Sequence, residues 1–223
     1  MRKTMKVLMA VAMVFVVMAC AEAKVVRCKG PVKVQEMDLE PFTSIVVNGS
    51  ADIFIVQQDD VSVSVRANEE VFNYLDFKVK NGVLYVETKD RVNIMAEVYD
   101  ITIGIPDIKA LTVNGACDVK FKDGFKCQDN LAMKVNGAGD LLVGGLFADS
   151  LHIEVNGAGD VDAESIDVET LAVSVNGAGD VLVSGKADVA FFKVSGAGMI
   201  DARGLEAGSV ETKRAGVAVI RLP

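Results

Sequence analysis

A five-residue turn recurs in the second half of the chain at a fixed interval. Asn136-Gly137-Ala138-Gly139-Asp140, Asn156-Gly157-Ala158-Gly159-Asp160 and Asn176-Gly177-Ala178-Gly179-Asp180 stand 20 residues apart. Asn114-Gly115-Ala116-Cys117-Asp118 lies 22 residues upstream, and Ser195-Gly196-Ala197-Gly198-Met199 lies 19 downstream. A period near 20 is the mark of a solenoid, in which each repeat stacks on the last. Such a chain builds a long surface readily and a deep pocket with difficulty, which favours binding or structural roles over catalysis.

Aligning the repeats on the turn exposes apolar columns. Val47, Val113, Val135, Val155, Val175 and Val194 precede the turn by one residue, and Ile45, Leu111, Met133, Ile153, Val173 and Phe192 by three. Ile53, Val119, Leu141, Val161, Val181 and Ile200 follow, then Ile55, Phe121, Val143, Ala163, Val183 and Ala202. Alternation at period two on both sides of a turn is the pattern of half-buried strands. Twenty residues are too few for a strand pair with a crossover helix. The pattern therefore predicts an all-β fold: a right-handed parallel β-helix with coils of about 20 residues, preceded by a less regular β section. Gly137, Gly139, Gly157, Gly159, Gly177 and Gly179 allow either positive φ or close backbone approach. Asn136, Asn156 and Asn176 tolerate a left-handed backbone and can form an amide ladder along the stack.

Upstream the repeat is irregular. Asn48-Gly49-Ser50-Ala51-Asp52 is a first copy, and the next begins 66 residues later. Between them, Val61 to Val65 and Val83 to Thr88 read as strands, and Asn81-Gly82 reads as a hairpin turn. Glu69 to Leu75 reads as a short helix or a loop, and Pro106 ends a strand over 101–105. A soft boundary near residue 106 divides an irregular section, 24–106, from regular coils, 107–223. The last copy is degraded at Arg214-Ala215-Gly216, and the strand ending at Pro223 is the candidate for closing that end.

The residues that carry these features also carry a resemblance. The run Phe42 to Ile53, the run Val79 to Val86 and the serial Gly-Ala-Gly-Asp turns resemble the putative auto-transporter adhesin head GIN domain family over residues 31–219. The resemblance implies an exported bacterial protein, often a lipoprotein, with a β-helical architecture and no catalytic residues. The turn Asp is missing at Met199 and Ala218, so a site needing the whole Asp column would fail at the C-terminal end.

The first residues read as a targeting segment. Arg2, Lys3 and Lys6 precede an apolar run from Val7 to Ala19 that is short for a membrane span. Two readings are open: a signal peptide of residues 1–23 cleaved after Ala23, or a lipobox at Val17 to Cys20 that removes residues 1–19 and lipidates Cys20. Either directs the chain to the periplasm, outer membrane or cell surface. The net charge of −8 becomes −10 once Arg2, Lys3, Lys6 and Glu22 leave with residues 1–23. Such an acidic chain argues against nucleic acid as a partner. Cys28, Cys117 and Cys127 remain, with no pairing fixed by the sequence.

Candidate sites are few. Asp52, Asp118, Asp140, Asp160 and Asp180 share one position, about 5 Å apart if stacked. They read as solvated corner caps, with calcium as the cation that such a column could take; no other cofactor is expected. Tyr74, Tyr85 and Tyr99 all fall in the N-terminal section and are the candidate ligand surface, although Tyr74 and Phe72 read equally as core. His152 reads as a surface residue. Asp160 and Asp162 form a same-face pair that would suit a polysaccharide-active β-helix enzyme. No nucleophile elbow, metalloprotease helix or phosphate loop supports catalysis. The expectation is a non-enzymatic envelope binding protein of adhesin type whose partner is an unidentified glycan or surface protein. The alternatives are a structural module that forms homo-oligomers and, third, the enzyme.

Overall fold

The computed structural model describes residues 24–122 and 124–223; the leader expected over residues 1–23, with Cys20, lies outside them. The described chain is all-β apart from short 3-10 turns at Glu69–Asn73 and Lys89–Arg91. One long, mostly parallel sheet takes in nearly every strand, and Val25–Cys28 pairs separately with Asn93–Ala96. No helix among the described residues is long and apolar enough to cross a membrane.

The strands fall into two walls joined at the recurrent turn. The wall before the turn contains Ser44–Gly49, Ala110–Gly115, Asn130–Val135 and Phe147–Val155. The wall after it contains Asp52–Gln57, Asp118–Phe121 and Leu141–Gly144. Further on, the strands Val161–Val175, Asp180–Gly196 and Met199–Gly216 run through both walls. Val47, Val113, Val135, Val155, Val175 and Val194 form one line, each paired with the next. None of these valines is more than 1% exposed. The other three columns are buried as well. Burying one such side chain is worth about 1.5–3 kcal/mol, so the repeated columns supply the main stabilisation. The 22-residue repeat absorbs its extra length on the return: the offset is 22 at Val119–Leu141 and 20 at Asn130–Ser150.

The turn glycines are needed for space. None of Gly137, Gly139, Gly157, Gly159, Gly177 or Gly179 has positive φ, and neither do Asn136, Asn156 and Asn176. The left-handed backbone envisaged for the asparagines is therefore absent, and of the two roles envisaged for the glycines only close approach applies. A Cβ on Gly157 would lie 2.0 Å from the carbonyl oxygen of Gly137, and one on Gly159 would lie 2.2 Å from that of Gly139. The backbones stack directly, because Ala138, Ala158 and Ala178 donate their N–H groups to Gly115, Gly137 and Gly157 at 2.9–3.0 Å. Cys117 occupies the second glycine position where the repeat beneath carries Ala51, and its Sγ lies 3.0 Å from the Gly49 oxygen.

The stack departs from chain order at its N-terminal end. Val83–Thr88 pairs with the outer edge of Ser44–Gly49, and Tyr99–Ile105 pairs with the outer edge of Asp52–Gln57. Leu84 and Val86 thereby extend the Ile45 and Val47 columns, and Ile101 and Ile103 extend those of Ile53 and Ile55. Beyond this layer the pairing turns antiparallel. Leu75–Lys80 joins Val83–Thr88 through the Asn81-Gly82 hairpin, with φ of 53° and 73° at the two turn residues. Ser62–Asn68 and then Val32–Glu36 extend the other wall. Asn68 is buried and fixes this end: its amide N–H donates to the Gly30 oxygen, and its carbonyl accepts from the backbone of Glu97 and Val98.

At the C-terminal end Val219–Arg221 pairs only with Met199, Ile200 and Asp201. It covers one wall and leaves the outer edge of residues 209–216 in the other without a strand partner among the described residues, so the closure expected of the final strand is partial. The inward columns become polar there, with Thr212 beneath Phe192 and Arg214 beneath Val194.

Gly157→Ala is expected to lose about 2–3 kcal/mol through the contact with Gly137. The neighbouring Ala158→Ser, on an exposed position of the same turn, should stay within about 0.5 kcal/mol of wild type. Denaturant unfolding of the two variants checks this, and equal stability of both would contradict the stacking argument.

Candidate functional site

The turns stack into a continuous corner with three polar features: an amide line, a carboxylate line and a cleft at the N-terminal end. Asn114, Asn136, Asn156 and Asn176 each donate Nδ2–H to the Oδ1 of the preceding asparagine, at 2.7–3.0 Å. Every amide points the same way. The line ends where Asn48 donates to Glu87 Oε1 at 2.7 Å. A carboxylate is a suitable terminus, because it accepts from a chain of aligned dipoles without having to donate onward. Lys78 closes on the same carboxylate at 2.8 Å. The Lys78 hydrogen bond, followed by that from Asn48, holds the Glu87 carboxyl below the usual glutamate range against the opposing effect of burial.

The carboxylate line is capped by backbone. Asp118, Asp140 and Asp160 each use Oδ1 to accept the N–H of the next aspartate in the column at 2.8–3.2 Å, and Asp180 accepts that of Met199 at 3.0 Å. Loss of the Asp at Met199 therefore leaves the preceding cap intact. Asp52 and Asp100 continue the line by register, and Arg66 pairs with Asp100 at 2.7 Å. Burial, then the neighbouring Asp118 and Asp100, push the Asp52 carboxyl up. Among the described residues no group of three or more His, Cys, Asp or Glu side chains is placed to hold a metal ion.

The cleft has a volume of about 620 Å³ and lies where the amide line meets the loop after Val83–Thr88. Asn48, Ser50, Glu87, Thr88 and Asn93 supply its polar lining. Two of these groups are held inward: Ser50 donates to the Ile94 oxygen and Thr88 to the Val92 oxygen. Asn93 is exposed and Glu87 half-buried, so an amide and a carboxylate face the open volume. A smaller hollow beneath is lined by Tyr99 and Cys117. Burial raises both of their pKa values, the thiol to about 11, so Cys117 is a protonated core group rather than a nucleophile.

The other expected residues are dispersed. Tyr74 and Tyr99 pack partly buried against the core, whereas Tyr85 lies on the outer side of its strand between inward Leu84 and Val86. His152 is exposed and forms one wall of a shallow hollow of about 310 Å³ with Phe191 and Lys193. Asp162 stands half-buried in register between Leu142 and Leu182, and its Oδ1 has no hydrogen-bond partner among the described residues. Among the described residues Cys28, Cys117 and Cys127 are buried and none is joined to another. Glu87 and Asp100 escaped sequence reading because neither sits in a Gly-Ala-Gly turn. Placing Val86 in the valine column would have put Glu87 at the asparagine position.

Residues 41–222 match the family described as "Putative auto-transporter adhesin, head GIN domain". The chain belongs to that family. Similar folds occur in a protein of Parabacteroides distasonis named a putative lipid binding protein (21% identity, TM-score 0.78, 90% of this chain and 100% of that one). They also occur in a putative adhesin of Bacteroides fragilis (16%, TM-score 0.72, 89% and 100%). A putative adhesin of P. distasonis is a third case (15%, TM-score 0.75, 90% and 100%). At these identities the likeness is one of fold. No curated protein matches the chain.

Glu87→Gln tests the terminus of the amide line. The folded-state pKa of Glu87 lies below its ordinary value of 4.5, so its contribution is complete above that value and fades as pH falls through and below it. The variant should therefore be less stable than wild type at neutral pH, by no more than about 1 kcal/mol for so exposed a pair. The difference should shrink as the solution is acidified, which thermal unfolding at a series of pH values would show. A difference that grows on acidification would contradict the assignment.

Proposed function

We propose that this protein is a non-enzymatic binding protein of the bacterial cell envelope, exported to the periplasm, outer membrane or cell surface, and adhesin-like in its role. Family membership supports export and adhesion. The cleft at the end of the amide line is the observation that carries the binding role. It joins an exposed amide to a fixed carboxylate on a rigid backbone, which suits the hydroxyl groups of a glycan better than an apolar ligand. Tyr85, half-buried on the outer side of its strand, is the tyrosine best placed to extend the surface.

The architecture behind this reading is a right-handed parallel β-helix with coils of about 20 residues. Two observations support it: parallel partners recur at offsets of 20, as in Val135–Val155–Val175, and parallel crossover connections are right-handed in nearly all folds. We read the carboxylate line as a corner cap, since one oxygen each of Asp118, Asp140, Asp160 and Asp180 accepts a backbone N–H. Calcium binding there would instead raise the unfolding temperature in wild type and fail to do so in Asp160→Asn.

A glycan array tests the binding role. Wild type is expected to bind a defined glycan, with affinity reduced about tenfold in Asn93→Ala, whose exposed side chain contributes little to folding. Absence of any glycan hit, or binding unchanged by Asn93→Ala and Tyr85→Ala, would overturn the reading.

A further inference from the structure

We propose that the uncovered C-terminal edge is a self-complementary interface, at which two copies of this chain pair antiparallel about a twofold axis through Thr212. The edge runs from Ser209 to Gly216 and is exposed throughout. It is hydrogen-bonded on one side to residues 189–196 and, among the described residues, has no strand on the other. Val210 and Val217 are exposed on or beside it at 38% and 84%. Unpaired strand edges of this length usually acquire a partner or carry a device that prevents pairing.

The backbone fixes which groups are free. Val217 donates its N–H back to the Gly196 oxygen. Alternation along the strand then turns Ala215, Lys213 and Glu211 toward the preceding layer, and Val210, Thr212 and Arg214 toward solvent. An antiparallel partner centred on Thr212 meets those free groups in matched pairs. Thr212 faces Thr212 of the second copy, and Val210 faces Arg214 of the second copy, in both directions.

The side chains fit the same register. Glu211 and Lys213 follow the outward positions of Phe191 and Lys193. Their side chains are 60% and 75% exposed, and they are 3.6 Å apart within one copy. About a twofold axis through Thr212, Glu211 of each copy lies opposite Lys213 of the other. Opposite charges at directly facing positions stabilise antiparallel pairing, and like charges oppose it. A charge pattern that is its own complement favours a second copy over an unrelated strand.

Sedimentation equilibrium of the protein tests the proposal. Wild type is expected to form a concentration-dependent dimer. Glu211→Lys alone and Lys213→Glu alone should each weaken it about tenfold. The double variant E211K/K213E, which restores opposite charges across the axis, should recover wild-type association. Thr212→Pro removes a solvent-facing N–H and should give a monomer whose unfolding temperature matches that of wild type at concentrations too low for dimer to form. A wild type that stays monomeric at all concentrations, a dimer that survives Thr212→Pro, or a double variant no better than the single ones would overturn it.

Discussion

Direct stacking of one turn backbone on the next is the constraint on which the rest of this structure depends. With no side chain at either glycine, the carbonyl of one repeat reaches the N–H of the next across the corner itself. The two walls are then tied at a fixed line rather than joined by loops. Once that line is straight, the valine columns on either side fall into register. A single Cβ at Gly157 would separate layers that are otherwise held at hydrogen-bond distance. The apolar columns supply most of the free energy, and the glycines decide that this energy is collected in one register.

The polar groups follow from the same geometry. Stacking brings identical side chains together, which is favourable for amides and unfavourable for carboxylates. Asparagine both donates and accepts, so its column extends itself and needs only a terminal acceptor, Glu87. Aspartate cannot donate, so Asp118, Asp140, Asp160 and Asp180 turn to the backbone N–H of the next layer. The two columns answer one problem in two ways, and neither answer requires a ligand. The cleft differs because it forms where the repetition stops, at a loop that replaces the regular turn.

Much of this was legible in the sequence. Period-two columns around a recurrent turn sufficed to place the four inward columns that flank the turn, though not inward residues farther from it such as Leu131, Leu146, Leu151 and Ile166, and Asn81-Gly82 marked its hairpin. The chemistry of the turn was less legible, because a glycine needed for φ and a glycine needed for space look alike on paper. The N-terminal layer was not legible as part of the stack. Val83–Thr88 and Tyr99–Ile105 share the columns of the first copy, but they lie outside it in space and after it in sequence. Only tertiary pairing shows that inversion. Glu87, Asp100 and the cleft were hidden for that reason, since each belongs to a column defined by register and not by motif. The tyrosines were conspicuous by their type, yet alternation turned Tyr99 toward the core, and Tyr74 packs against it from the end of the 3-10 turn.

Amide hydrogen exchange at the corner addresses the central claim most directly. The N–H groups of Ala158 and Ala178 sit in an exposed turn by sequence but donate to the Gly137 and Gly157 carbonyls. The stacking account predicts that they exchange as slowly as the amides of Val155 and Val175 within the walls. Exchange at the rate of an open loop, with the walls still protected, would show that the turns do not hold the layers together.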